Sequence, residues 1–217
     1  MMKFQTIKQF ILLLTFLGVL VFAAEAKKHT LEEVDIYELS IDENIATPKL
    51  GKLAPSIVAF QDKQVEYFKN LEKMGYPYEV KTIRDGEVVM VTIEMRHLFD
   101  SNSTELTESG IRVLEPFLKF LNPIRLYKMV LVAHSDNTGS EHYLMDLTTK
   151  RVNVVNAWIE KTDASKTDMV VPYALGSSDP IVENNSIMNR SKNRRLVIYL
   201  IPNNAMLVQA KKNKISL

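Results

Sequence analysis

The 217-residue chain has no cysteine. That excludes disulfides, iron–sulfur ligation and thiol catalysis, and predicts no lipid on an N-terminal cysteine. It also lacks an excess of either charge, with a formal net charge of +1. Cleavage after residue 26 would remove Lys3, Lys8 and Glu25 and leave equal numbers of acidic and basic residues. Such balance argues against a nucleic-acid partner, which usually shows as a basic excess. There is no internal repeat, no low-complexity segment, no HExxH metal pattern and no GxSxG nucleophile signal. His134 and His142 are eight residues apart and do not form an i, i+4 metal pair. No apolar run reaches the roughly 20 residues of a membrane-spanning helix. Residues 27–87 are too few to supply an eight-stranded transmembrane barrel.

What is present begins with an export signal. Lys3 and Lys8 precede a mostly apolar run at residues 10–24, and Ala24-Glu25-Ala26 fits a small-x-small cleavage site. The segment is either cleaved or kept as an anchor. Either way, the rest of the chain is expected outside the cytoplasm. With 46% hydrophobic and 24% charged residues, that remainder can build a core without disulfides.

Residues 27–87 read as an N-terminal region with a short strand in VDIYELSI and a helix capped by Ser56 with an apolar stripe Ile57, Phe60, Val65, Phe68 and Leu71. A hairpin strand follows, turning at Asp85-Gly86. Residues 88–205 then alternate regularly. Strands are expected at 88–94, 128–133, 169–175 and 195–201, with helices at 107–121 and 141–160. Pro116 should break the first helix, and Pro172 should place its strand at an edge or bulge. Residues 176–192 read as a polar loop, and residues 206–217 as a basic tail with solvated Lys211, Lys212 and Lys214. The predicted class is α+β: a βαβαβ domain with a mixed parallel and antiparallel sheet, helices packed on it, and a small N-terminal α/β appendage.

Two residues stand out. Arg151 lies on the apolar stripe of the 141–160 helix, seven residues from both Leu144 and Trp158. At that spacing all three share one face. A buried arginine needs an anion, an internal partner or a route to water. Asp136 follows the 128–133 strand in HSDNTG. The crevice beyond a strand's C-terminal end is a usual ligand position, and a loop or capping role is the alternative.

The motifs around these residues resemble those of outer membrane protein A-like C-terminal domains. Ala133-His134-Ser135-Asp136-Asn137-Thr138-Gly139 is similar to G-H-T-D-x-x-G, and residues 143–151 to Y-N-x-x-L-S-x-x-R. Gly176 with Asp179-Pro180 is similar to G-x-x-x-P, Asn193-Arg194-Arg195 to the N-R-R of the final strand, and Leu98-Phe99-Asp100 with Leu106 to an early F-x-x-x-x-x-x-L segment. The chain departs at Ala133, Ser135, Leu144, Val152 and Val197; Leu144 replaces an asparagine amide.

The resemblance implies a non-catalytic, cofactor-free, periplasmic module, associated with the cell wall or outer membrane. It would bind peptidoglycan through the diaminopimelate of the stem peptide. Asp136 would receive the ligand ammonium and Arg151 its carboxylate. Arg194 would line the pocket, with Asp100, Thr148 and backbone N–H groups near Asn137 as lesser contributors. An envelope protein docking on residues 27–87 is a further expectation. The alternative is a scaffold that kept the fold and lost the ligand. Flagellar stator subunits carry a similar domain, but residues 10–24 lack the acidic residue that ion transport needs.

Overall fold

The computed structural model describes residues 39–121, 126–162 and 169–216. Leu39–Leu217 forms one compact unit. The expected export signal lies outside the described residues, as does most of the first expected strand. The described end of that strand segment is helical instead. Ser40 and Glu43 form a reciprocal capping box that opens α1, Ile41–Asn44, and so satisfies amides that a strand would have to pair elsewhere.

Helix α2, Ala54–Lys73, starts before Ser56, the expected cap. Pro55 sits in its first turn, where a missing N–H costs nothing. Its inner face carries Ile57, Phe60 and Phe68, together with the polar Gln61 and Gln64. Gln61 is buried and satisfied: it donates to Glu87 O at 2.6 Å and accepts from Tyr127 Oη at 2.6 Å. Strands β1, Glu79–Ile83, and β2, Val88–Glu94, form the predicted hairpin. Arg84, Asp85 and Gly86 all have positive φ, and Glu87 N donates to Arg84 O at 3.0 Å. A side chain at Gly86 would meet Val58 of α2 at 3.0 Å, so the turn needs glycine for conformation and for space.

Helix α3, Glu108–Leu114, is capped by Thr107, whose side chain accepts from Gly110 N. At Pro116 the chain passes into a 3-10 helix, Glu115–Leu121, the break expected from a residue without an N–H. Strand β3, Tyr127–His134, leads through a loop to α4, Glu141–Thr162, and then to β4, Val170–Gly176. The span read as a polar loop contains a further helix, α5, Ile187–Asn193, capped by Ser186. Its apolar positions are too few to show a helical stripe. Strand β5, Arg195–Pro202, and helix α6, Asn204–Lys211, complete the fold. The three tail lysines are exposed, while Met206 and Ala210 before them are buried in the core.

The sheet order is β1-β2-β5-β3-β4, antiparallel except for the β3–β4 pair. β4 is an edge strand, which tolerates Pro172. β5, last in sequence, is central, as its near-continuous burial reflects. One face, with Val91, Leu131 and Ile198, joins Phe68, Phe117, Phe120 and Val155 in a single core. On the other face Lys128 donates to Asn44 Oδ1 at 3.0 Å, and Asn44 donates to Tyr173 Oη.

Candidate functional site

At the C-terminal end of β3, beside the start of α4, a cleft of about 470 Å³ opens among Asp100, Asp136, Tyr143, Arg151, Arg190 and Arg194. That is within the usual range for ligand sites. Four of the six residues expected at the site therefore meet there: Asp136, Arg151, Arg194 and Asp100.

Asp136 is held by its own loop. Its Oδ1 accepts from Thr138 N at 2.8 Å, an Asx turn that fixes the carboxylate direction. Its Oδ2 accepts from Arg194 Nη1 in an ion pair. The residue is only 3% exposed, so the carboxylate depends on these donors.

Arg151 comes from the fourth helix, 6% exposed, on the face with Leu144, Leu147, Val152 and Val155. Its Nε donates to Ser103 O at 2.9 Å and its Nη2 to Asp100 O at 3.3 Å. The guanidinium lies 5.1 Å from the centre of the Phe99 ring. The loop presenting those carbonyls is closed by a bridge between Phe99 and Leu106. Burial pushes the Arg151 pKa down, Tyr143 opposes the shift, and Arg194 adds to it. A guanidinium stays protonated regardless. Its bonds go to neutral oxygens, which leaves a desolvated cation able to take a carboxylate.

The other expectations come out differently. Asp100 lines the cleft, but it is the backbone oxygen that holds Arg151. Thr148 is 1% exposed and away from the cleft lining. Its hydroxyl donates within the helix, at 2.9 Å to Leu144 O, and accepts from Gly176 N at 3.1 Å. Thr148 therefore braces α4 against the end of β4. Asn137 is exposed and does not line the cleft, and the neighbouring N–H of Thr138 already serves Asp136.

Sequence reasoning missed two supporting residues. Asn193 is fully buried; its Oδ1 accepts from Ile181 N and Val182 N, and its Nδ2 donates to Val182 O and Asn184 Oδ1. It organises the segment that brings Arg190 and Arg194 to the cleft. Arg195, buried beside it, donates to the backbone and carboxylate oxygens of Asp179. Both flank Arg194 in the N-R-R run, where the resemblance gave a role to Arg194 alone. His134, also buried, has Nδ1 3.6 Å from Asp179 Oδ2, beyond hydrogen-bond reach. Burial lowers its pKa to about 4, Arg195 acts in the same direction and Asp179 opposes them. Among the described residues no group of three or more His, Asp or Glu side chains is arranged to hold a metal ion, and no helix is long and apolar enough to cross a membrane.

Residues 98–194 match the OmpA family model. The chain is 29% identical over 137 residues to a peptidoglycan-associated lipoprotein of Buchnera aphidicola, covering 63% of this chain and 74% of that protein. It is 27% identical over 125 residues to the protein YiaD of Escherichia coli, covering 57% of this chain and 56% of the relative, less than two thirds of its length. Among solved structures, it is similar to the cell wall anchor of the T6SS from Pseudomonas aeruginosa, with a TM-score of 0.56 and 20% identity over 64% of this chain and 97% of that one. That likeness concerns the fold.

Proposed function

We propose that this chain, whose residues 98–194 match the OmpA family model, is a non-catalytic peptidoglycan-binding module of the periplasm. It tethers an envelope component to the wall through the diaminopimelate of the stem peptide. The observation that carries this reading is the convergence of Asp136, Arg151 and Arg194 on one cleft. A side-chain zwitterion needs an anion and a cation at fixed positions, and Asp136 and Arg151 supply them. The guanidinium fork suits a carboxylate, with each charge-assisted bond contributing about 1.5–3 kcal/mol. A lysine-type stem lacks the second carboxylate and leaves Arg151 unmatched. The similarity to a peptidoglycan-associated lipoprotein supports the same assignment.

A second reading, an envelope scaffold without wall binding, draws on Leu144. This buried side chain lines the cleft where the family motif has an asparagine amide. Two measurements separate the readings: sedimentation of the protein with purified walls, against Asp136→Ala, and titration with diaminopimelate-type and lysine-type stem peptides. Wall binding that needs Asp136 and prefers diaminopimelate supports the first. A correctly folded protein that ignores both walls and peptides supports the second.

A further inference from the structure

The cleft has more positive charge than a single zwitterion can satisfy. Four arginines line it, Arg96, Arg151, Arg190 and Arg194, against two carboxylates, Asp100 and Asp136. Two of the four are already matched. Arg194 pairs with Asp136, and Arg96 pairs through Nε with Glu94 Oε2 at 3.2 Å. Arg151 and Arg190 are not, because their hydrogen bonds end on neutral carbonyl oxygens. Arg151 donates to Ser103 O and Asp100 O, and Arg190 donates from Nη1 to Asn184 O at 3.0 Å. The carboxylate of Asp100, which also lines the cleft, is exposed and has no hydrogen bond or ion pair among the described residues.

The diaminopimelate side chain brings one carboxylate, which Arg151 takes under the reading above, and one ammonium. The zwitterion is neutral, so with Arg96 held by Glu94 the cleft keeps three arginines against the carboxylates of Asp100 and Asp136, one positive charge in excess. Once Arg151 takes the ligand carboxylate, Arg190 is the arginine that no anion among the described residues meets. Arg190 is half-buried on α5 and lines the cleft; its guanidinium is tied to Asn184 O, in a segment anchored by the buried Asn193.

We propose that Arg190 forms a second anion subsite, which takes another free carboxylate of the same stem peptide and so favours unamidated over amidated stems. This rests on the wall-binding reading and adds a carboxylate count to it. Two carboxylates of a stem can supply the group: the free α-carboxylate of the γ-linked glutamate and the C-terminal carboxylate of the peptide.

The test is calorimetric titration of the full chain with three synthetic diaminopimelate stem peptides: unmodified, amidated at the glutamate, and amidated at the C-terminus. One of the two amidations is expected to weaken binding by about tenfold, the lower end for losing a charge-assisted contact. Whichever does so identifies the carboxylate. In Arg190→Gln that difference disappears, while in Arg190→Lys, which keeps the charge, a reduced difference remains. Equal affinity for all three peptides in the unmodified protein overturns the subsite and leaves the wall-binding reading intact. A difference that survives in Arg190→Gln also overturns it. Failure of the unmodified peptide to bind at all sinks both.

Discussion

Arg194 donates from Nη1 to Oδ2 of Asp136, so the carboxylate proposed to meet a ligand ammonium already faces a cation of the protein's own. The pair is unequal in exposure: the Asp136 side chain is 5% exposed and that of Arg194 is 39% exposed. Removing Arg194 leaves a buried carboxylate with one remaining donor, Thr138 N. With solvent reaching one partner, Arg194→Gln is expected to destabilise the fold by about 1–2 kcal/mol. Asp136→Asn combined with Arg194→Gln should recover part of that loss. A urea double-mutant cycle with no coupling between the two positions would refute the pairing.

Arg151 holds a loop and, on the proposed reading, a ligand. Arg151→Ala is expected to weaken wall binding at least about tenfold. It should also loosen the loop tied through Ser103 O and Asp100 O. Hydrogen exchange of the amides at positions 100–106 reads the second effect, and wall sedimentation the first. Unchanged sedimentation of a folded variant would remove Arg151 from the site.

Gly110 is a packing position. A β-carbon there would lie 2.5 Å from Leu98 O and 2.8 Å from Leu98 Cα, both backbone atoms. Gly110→Ala must push apart α3 and the segment that leads into the cleft. An overpacking cost of about 1–3 kcal/mol is expected, seen as a lower urea midpoint with an unchanged slope. A variant as stable as the parent would show that this contact yields freely.

His134 makes stability depend on pH. Its folded pKa, about 4, is below the ordinary 6.5. Between those values the unfolded chain binds a proton that the native state does not. Stability is therefore full above about pH 6.5, falls as pH drops through the window, and levels off below about 4. The loss attributable to this group is at most about 3 kcal/mol. Urea unfolding at pH 7, 5.5 and 4.5 should show the fall, with a shallower slope in His134→Gln. Parallel pH profiles for the two proteins would place the acid sensitivity elsewhere.

The elements most legible from sequence were those where one local signal dominates. Asp85-Gly86 marked its hairpin, Thr107 capped its helix, Pro116 broke that helix and Pro172 lay on an edge strand. The errors came where a local signal had a competitor. Ser56 is a good cap, but Pro55 and the preceding turn started α2 earlier. The fifth helix was hidden in a polar stretch because its stability depends on Ser186 and the buried Asn193 rather than an apolar stripe.

Local chemistry along the chain determined the order of the five sheet strands and of the two helices between β2 and β4, the turn at Asp85-Gly86 and the presence of an arginine on a largely apolar helical face. Tertiary structure alone decided which partners that chemistry met. The antiparallel insertion of β5 between β2 and β3 brings Arg194, which is 58 residues from Asp136 in sequence, to its carboxylate, while the adjacent Arg195 is bound to Asp179. Neighbouring side chains diverge where a strand begins, and strand pairing over long sequence separations leaves no local periodicity to read.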